Sequence, residues 1–107
     1  MQVALKRVPI RRDMAETLLV DVGEHEIPVL LAVHGEAAVQ SEQIVEAGEV
    51  RNIEDPRSEY ERLANLYGRD PESGRAFVDL AYTSFRQFLN DLQQFAGLPA
   101  KRSKAAA

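Results

Sequence analysis

"RAFVDLAYTSFRQFLNDLQQFAGLP", residues 75–99, decides how many strands this chain can build. Its second half is plain: Phe85, Phe88, Leu89, Leu92, Phe95 and Ala96 recur at helical spacing over a polar back of Arg86, Gln87, Asn90, Asp91, Gln93 and Gln94, and Gly97 with Pro99 stops the helix. Its first half reads two ways. Val78, Leu80 and Tyr82 alternate as in a strand, yet the same residues fit the opening turns of one long helix. A helix continuous from Arg75 would rise about 1.5 Å per residue and overhang so small a domain, which favours a strand followed by a helix over 84–96.

Working towards the N-terminus, "EDPRSEYERLANLYG" (54–68) predicts a second helix, over 56–67. Asp55 is placed as N-cap and Pro56 at the first helical position, Tyr60, Leu63, Ala64 and Tyr67 share a stripe, and Gly68 ends it. "AAVQSEQIVEAGEVRNI" (37–53) carries β-branched residues on either side of Ala47-Gly48 and reads as one or two strands with a turn. Ile27 to His34 fits either period. Pro28 early and Gly35 just beyond the end favour a short helix. "TLLVDV" (17–22) is apolar on both faces and reads as a central strand closed by Gly23, whereas "QVALKRVPI" (2–10) contains Pro9, which lacks a ladder donor, and reads as an edge strand.

The expected fold is therefore a single α+β domain over residues 1–97: an antiparallel or mixed sheet of three or four strands, with the helices at 56–67 and 84–96 on one face. Residues 98–107 read as a mobile, basic and alanine-rich tail. At 107 residues the chain buries roughly two-thirds of its unfolded surface, enough for one modest core. All seven aromatics lie in the second half, so an aliphatic sheet covered by helices with aromatic faces is expected. No cysteine is present, which excludes disulfides and thiolate metal sites and fits a reducing cytoplasm. The N-terminus lacks the apolar region of a signal peptide, and the longest apolar run, "IPVLLAV", is far short of the ~20 residues a membrane span needs. No membrane contact is expected.

The net charge of −4 hides an asymmetry. Residues 1–12 carry +4, residues 13–56 carry −10, residues 57–100 carry −1 and the tail carries +3. The plainer reading places the basic first strand near the acidic segment. The functional reading makes Lys6, Arg7, Arg11, Arg12, Lys101, Arg102 and Lys104 contacts for an acidic partner or for nucleic acid, and Glu36, Glu42, Glu46, Glu49, Glu54 and Asp55 a protein-interaction surface.

Both histidines lie in "EHEIPVLLAVHGE" (24–36). His25 and His34 are nine residues apart, which puts them on opposite sides of either a helix or a strand, and Val29 stands where H-E-x-x-H requires its second histidine. Glu24, His25 and Glu26 read as a solvated turn, and His34 as a group complementing the end of a short helix. The glycines at 23, 35, 48, 68, 74 and 97 are too widely spaced for a dinucleotide or phosphate loop, and no serine sits in a nucleophile elbow. No catalytic residue, cofactor or metal is expected. By elimination, the chain reads as a small cytoplasmic, non-enzymatic protein acting by contact with another protein, with an accessory nucleic-acid binder as the alternative. The sequence leaves the oligomeric state open.

Overall fold

The computed structural model describes residues 1–97; the expected tail, with Lys101, Arg102 and Lys104, lies outside the described residues. Three strands, β1 (Gln2–Arg11), β2 (Thr17–Gly23) and β3 (Val45–Asn52), form an antiparallel sheet in the order β2-β1-β3. The helices are α1 (Ile27–His34), α2 (Pro56–Tyr67), α3 (Phe77–Ala81) and α4 (Phe85–Phe95), with single 3-10 turns at Glu24–Glu26 and Ser41–Gln43. The result is a small α+β domain, as the sequence predicts.

The helix ends follow from their capping residues. Asp55 accepts from the backbone N–H groups of Arg57 and Ser58, and Ser84 accepts from that of Gln87, so each helix begins where a side chain satisfies its orphan donors. α1 is apolar around its whole circumference because it lies between two cores. Val29 and Val33 join one cluster with Val3, Leu63, Val78, Tyr82, Phe88 and Leu92, in which α2 and α4 both pack. Leu30, with Ile27 and Leu31 against it, joins the other, around Val8, Ile10, Val22 and Val39. The buried positions on β1 change parity along the strand, Val3 and Leu5 first and Val8 and Ile10 later, so each end of this long strand serves a different cluster.

The strand order reverses the sequence-based expectation: Gln2–Arg11 is central and Thr17–Gly23 is an edge. The reason lies at Pro9. Its carbonyl accepts from the Gln40 N–H at 2.9 Å, and the Arg11 N–H donates to the Ala38 carbonyl at 2.8 Å, so the backbone at positions 9 and 11 faces away from β2. The donor that proline lacks thus faces the 38–40 segment, where pairing is limited to the isolated Ile10↔Val39 bridge beyond the end of β3 pairing at Arg7↔Val45. No bond of the β1–β2 ladder is lost to the proline.

One further expectation is corrected. Residues 77–81 are a helical turn, not a strand: the buried positions Val78 and Tyr82 are four apart, a spacing that serves a helix as well as an alternation. Residues 37–53 hold one strand, within the one or two expected. Val39 makes only an isolated bridge to Ile10, and Gly48 at φ +84° lets β3 place Ala47, Gly48 and Glu49 opposite the single Leu5.

Candidate functional site

Where β2 runs into the turn at Glu24–Glu26, His25 and Glu26 turn inward instead of lying in a solvated turn: His25 is 0% and Glu26 2% exposed. Gly23 makes room for this. Its backbone, at φ −65° and ψ 154°, suits any residue, but a Cβ there would stand 2.5 Å from Cε1 and 2.7 Å from Nδ1 of the His25 ring. The ring also makes an edge-on contact with Phe88, at 6.0 Å between centroids, and the Tyr82 hydroxyl donates to the His25 carbonyl at 2.5 Å.

α2 supplies the partners. Glu59 is 7% exposed, and its Oε2 lies 2.6 Å from His25 Nε2. An ionised carboxylate only accepts, so Nε2–H is the donor. Arg62, one turn further on, gives Nε to Glu59 Oε1 at 2.9 Å and Nη2 to Glu59 Oε2 at 2.7 Å, and the same Nη2 reaches Glu26 Oε1 at 3.0 Å. The Tyr67 hydroxyl donates to the other oxygen of Glu26. Burial pushes the Glu59 carboxyl up, but hydrogen bonds and charge from Arg62 and His25 outweigh that and hold it down at about 2. Burial and the bond to Glu26 push the Tyr67 phenol up.

His25, Glu26 and Glu59 have ligand atoms within 4.8 Å of one another, a donor set that could hold a cation. The guanidinium of Arg62 already occupies that role, bidentate on one carboxylate and bridging to the other. The arrangement therefore ties the 24–26 turn to α2 by buried ion pairs and hydrogen bonds, the chemistry of a structural cluster. The sequence held one trace of it: Glu59 stands four residues before Leu63, at the margin of the apolar stripe of α2.

No protein-family model matches the chain, and neither the curated proteins nor the solved structures compared with it gave a match.

The expected contact residues separate by whether they already have partners. Lys6 forms an ion pair with Glu46 on β3, and Arg7 makes two bonds to Asp21 on β2, at 2.9 and 3.0 Å. The basic strand does lie between acidic neighbours. Asp55 is consumed as a helix cap. Glu36, Glu42, Glu49 and Glu54 are exposed but are distributed over the 35–38 loop, the Ser41–Gln43 turn, β3 and the 53–55 link. Arg11 and Arg12 differ: among the described residues neither has a carboxylate within ion-pair distance. They converge with His34 on a cleft of about 520 Å³ that is also lined by Ile10, Leu18, Val33 and Ala38. The two arginines are visible in the sequence, but the apolar wall is not, because it is assembled from β1, β2, the last turn of α1 and the 35–38 loop.

Proposed function

We propose that this protein is a non-enzymatic binding module that takes an acidic segment of another protein, bearing an apolar side chain, in the cleft between the hairpin end of β1 and β2 and the last turn of α1. One observation carries the reading: apolar Ile10, Leu18, Val33 and Ala38 line one cleft together with basic Arg11, Arg12 and His34, a mixture that an acidic ligand with an apolar side chain complements. Of the two acids in the β1–β2 turn, Asp13 accepts from the Ala15 N–H at 2.8 Å and Glu16 is exposed, and neither is within ion-pair distance of Arg11 or Arg12. A cleft of this volume lies in the ordinary range for ligand sites, roughly 300–1,000 Å³. The nucleic-acid reading has less support, because Lys6 and Arg7 are already neutralised across the sheet. No helix among the described residues is long and apolar enough to cross a membrane.

The test is fluorescence anisotropy with a short labelled peptide alternating glutamate with leucine or valine, against an all-glutamate peptide and a single-stranded oligonucleotide. The alternating peptide is expected to bind best, with the double substitution Arg11→Glu and Arg12→Glu weakening it roughly tenfold or more, about 1.4 kcal/mol. Equal affinity for the all-glutamate peptide would remove the apolar lining from the account. Preference for the oligonucleotide would return the basic end to a phosphate-binding role.

A further inference from the structure

Resting on that reading, we infer that the acidic segment binds as an added strand, pairing with the free edge of β2 from Thr17 to Asp21. The hydrogen bonds fix which groups that edge offers. Because Pro9 and Arg11 direct their backbone away from β2, their partners Leu19 and Thr17 form non-hydrogen-bonded pairs, as does Asp21 opposite Arg7. Thr17, Leu19 and Asp21 therefore turn their N–H and C=O groups outward, while Leu18, Val20 and Val22 use theirs on β1. Among the described residues, none of the three outward N–H groups has a backbone partner in a turn or loop.

This edge lacks the usual protections against pairing. Between Thr17 and Val20 it carries neither a charge nor a proline, and Leu18 and Leu19 are 44% and 59% exposed. The opposite edge, β3, is protected by Glu46, Glu49 and the bulge at Gly48. Leu18 points to the same face as Ile10, its partner across the ladder, and both line the cleft. A strand laid beside β2 continues that alternation, so every second side chain of the ligand faces the cleft while its main chain pairs with Thr17, Leu19 and Asp21. Arg11 and Arg12 line the same cleft and set the charge preference at that end.

Amide hydrogen exchange with the alternating peptide, read residue by residue by NMR, tests the pairing. The peptide is expected to slow exchange at Thr17, Leu19 and Asp21 and to leave Leu18, Val20 and Val22 as they are. N-methylation of one set of alternate peptide amides is expected to weaken binding roughly tenfold or more, while methylation of the other set is tolerated. This places the perturbation on the probe, so the fold of the protein is untouched. Binding that still depends on Arg11 and Arg12 but leaves the three amides unprotected and tolerates both methylations overturns strand addition while the cleft reading stands. No binding by the unmethylated peptide defeats the cleft reading itself. Protection of the same amides that grows with protein concentration in the absence of peptide would assign the edge to a second copy and overturn the inference.

Discussion

The Arg62 cluster and the Arg11–Arg12 cleft use the same chemical vocabulary, arginine and histidine, in opposite ways. Inside, one guanidinium meets two carboxylates and the histidine meets one of them, all between the 24–26 turn and α2. Outside, two guanidiniums and a histidine face a cleft with no carboxylate in ion-pair range among the described residues. The difference separates holding the fold from reaching beyond it: a charge whose partner lies in the chain stabilises the chain, and a charge beside an apolar lining is available to a ligand. Substitutions that disturb one region and spare the other test the contrast.

The largest effect is expected at the centre of the buried cluster. Arg62→Met leaves the side chain's apolar length but takes the guanidinium from both buried carboxylates, leaving Glu26 with only the Tyr67 hydroxyl and Glu59 with only His25. Removing one partner of a buried pair destabilises by roughly 3–5 kcal/mol. Arg62 is itself 33% exposed, so the lower end, about 3 kcal/mol, is expected as a fall in the urea midpoint. An unchanged midpoint would deny the cluster its structural role.

Acid titration approaches the same cluster from the carboxylate side. The Glu59 carboxyl, ordinarily at 4.5, is held at about 2 in the fold. Its folded value is depressed, so its contribution is fully present above about pH 4.5 and is lost as pH falls from there towards 2. A shift of that size corresponds to about 3 kcal/mol as an upper bound. Over that window the unmodified protein should lose more stability than Glu59→Gln, which has no proton to gain. Parallel acid limbs for the two would remove Glu59 from the linkage.

Gly23→Ala is smaller and purely steric. The backbone there accepts alanine, but the new methyl meets a His25 ring that Glu59 and Phe88 hold in place. Overpacking of this kind costs about 1–3 kcal/mol. Gly23→Ala that lowers the midpoint on its own but costs nothing further in a His25→Ala background would show that the ring is the obstacle.

The legible part of the molecule was the part governed by local rules. Asp55, Pro56 and Gly68 bracket α2, and the stripe from Phe85 to Phe95 forms α4, as their spacing predicts. What escaped depended on which segments meet. Pro9 reads as an edge signal until Gln40 and Ala38 are seen on its open side. Val78 and Tyr82 satisfy two periods at once, and only packing chooses between them. "EHE" looks solvated because a charged triplet carries no record of Arg62, 36 residues on from Glu26. The cleft escaped for the same reason: Arg11 and Arg12 were visible, but Leu18, Val33 and His34 join them only through the hairpin and the fold-back of α1.

The smallest expected effect on stability bears most on the contrast. Arg11→Glu with Arg12→Glu exchanges two exposed cations that have no ion-pair partner among the described residues, so the urea midpoint should stay where it is, as for most surface substitutions away from caps, cores and networks. Neither side chain is needed for the hairpin, whose end is held by backbone bonds from the Arg12 and Asp13 N–H groups to the Glu16 carbonyl at 3.0 and 3.4 Å. Loss of peptide binding at constant stability would place the two arginines wholly on the side of recognition. A drop in the midpoint comparable to that of Arg62→Met would mean that they hold the fold as the buried cluster does, and the distinction between the two regions would collapse.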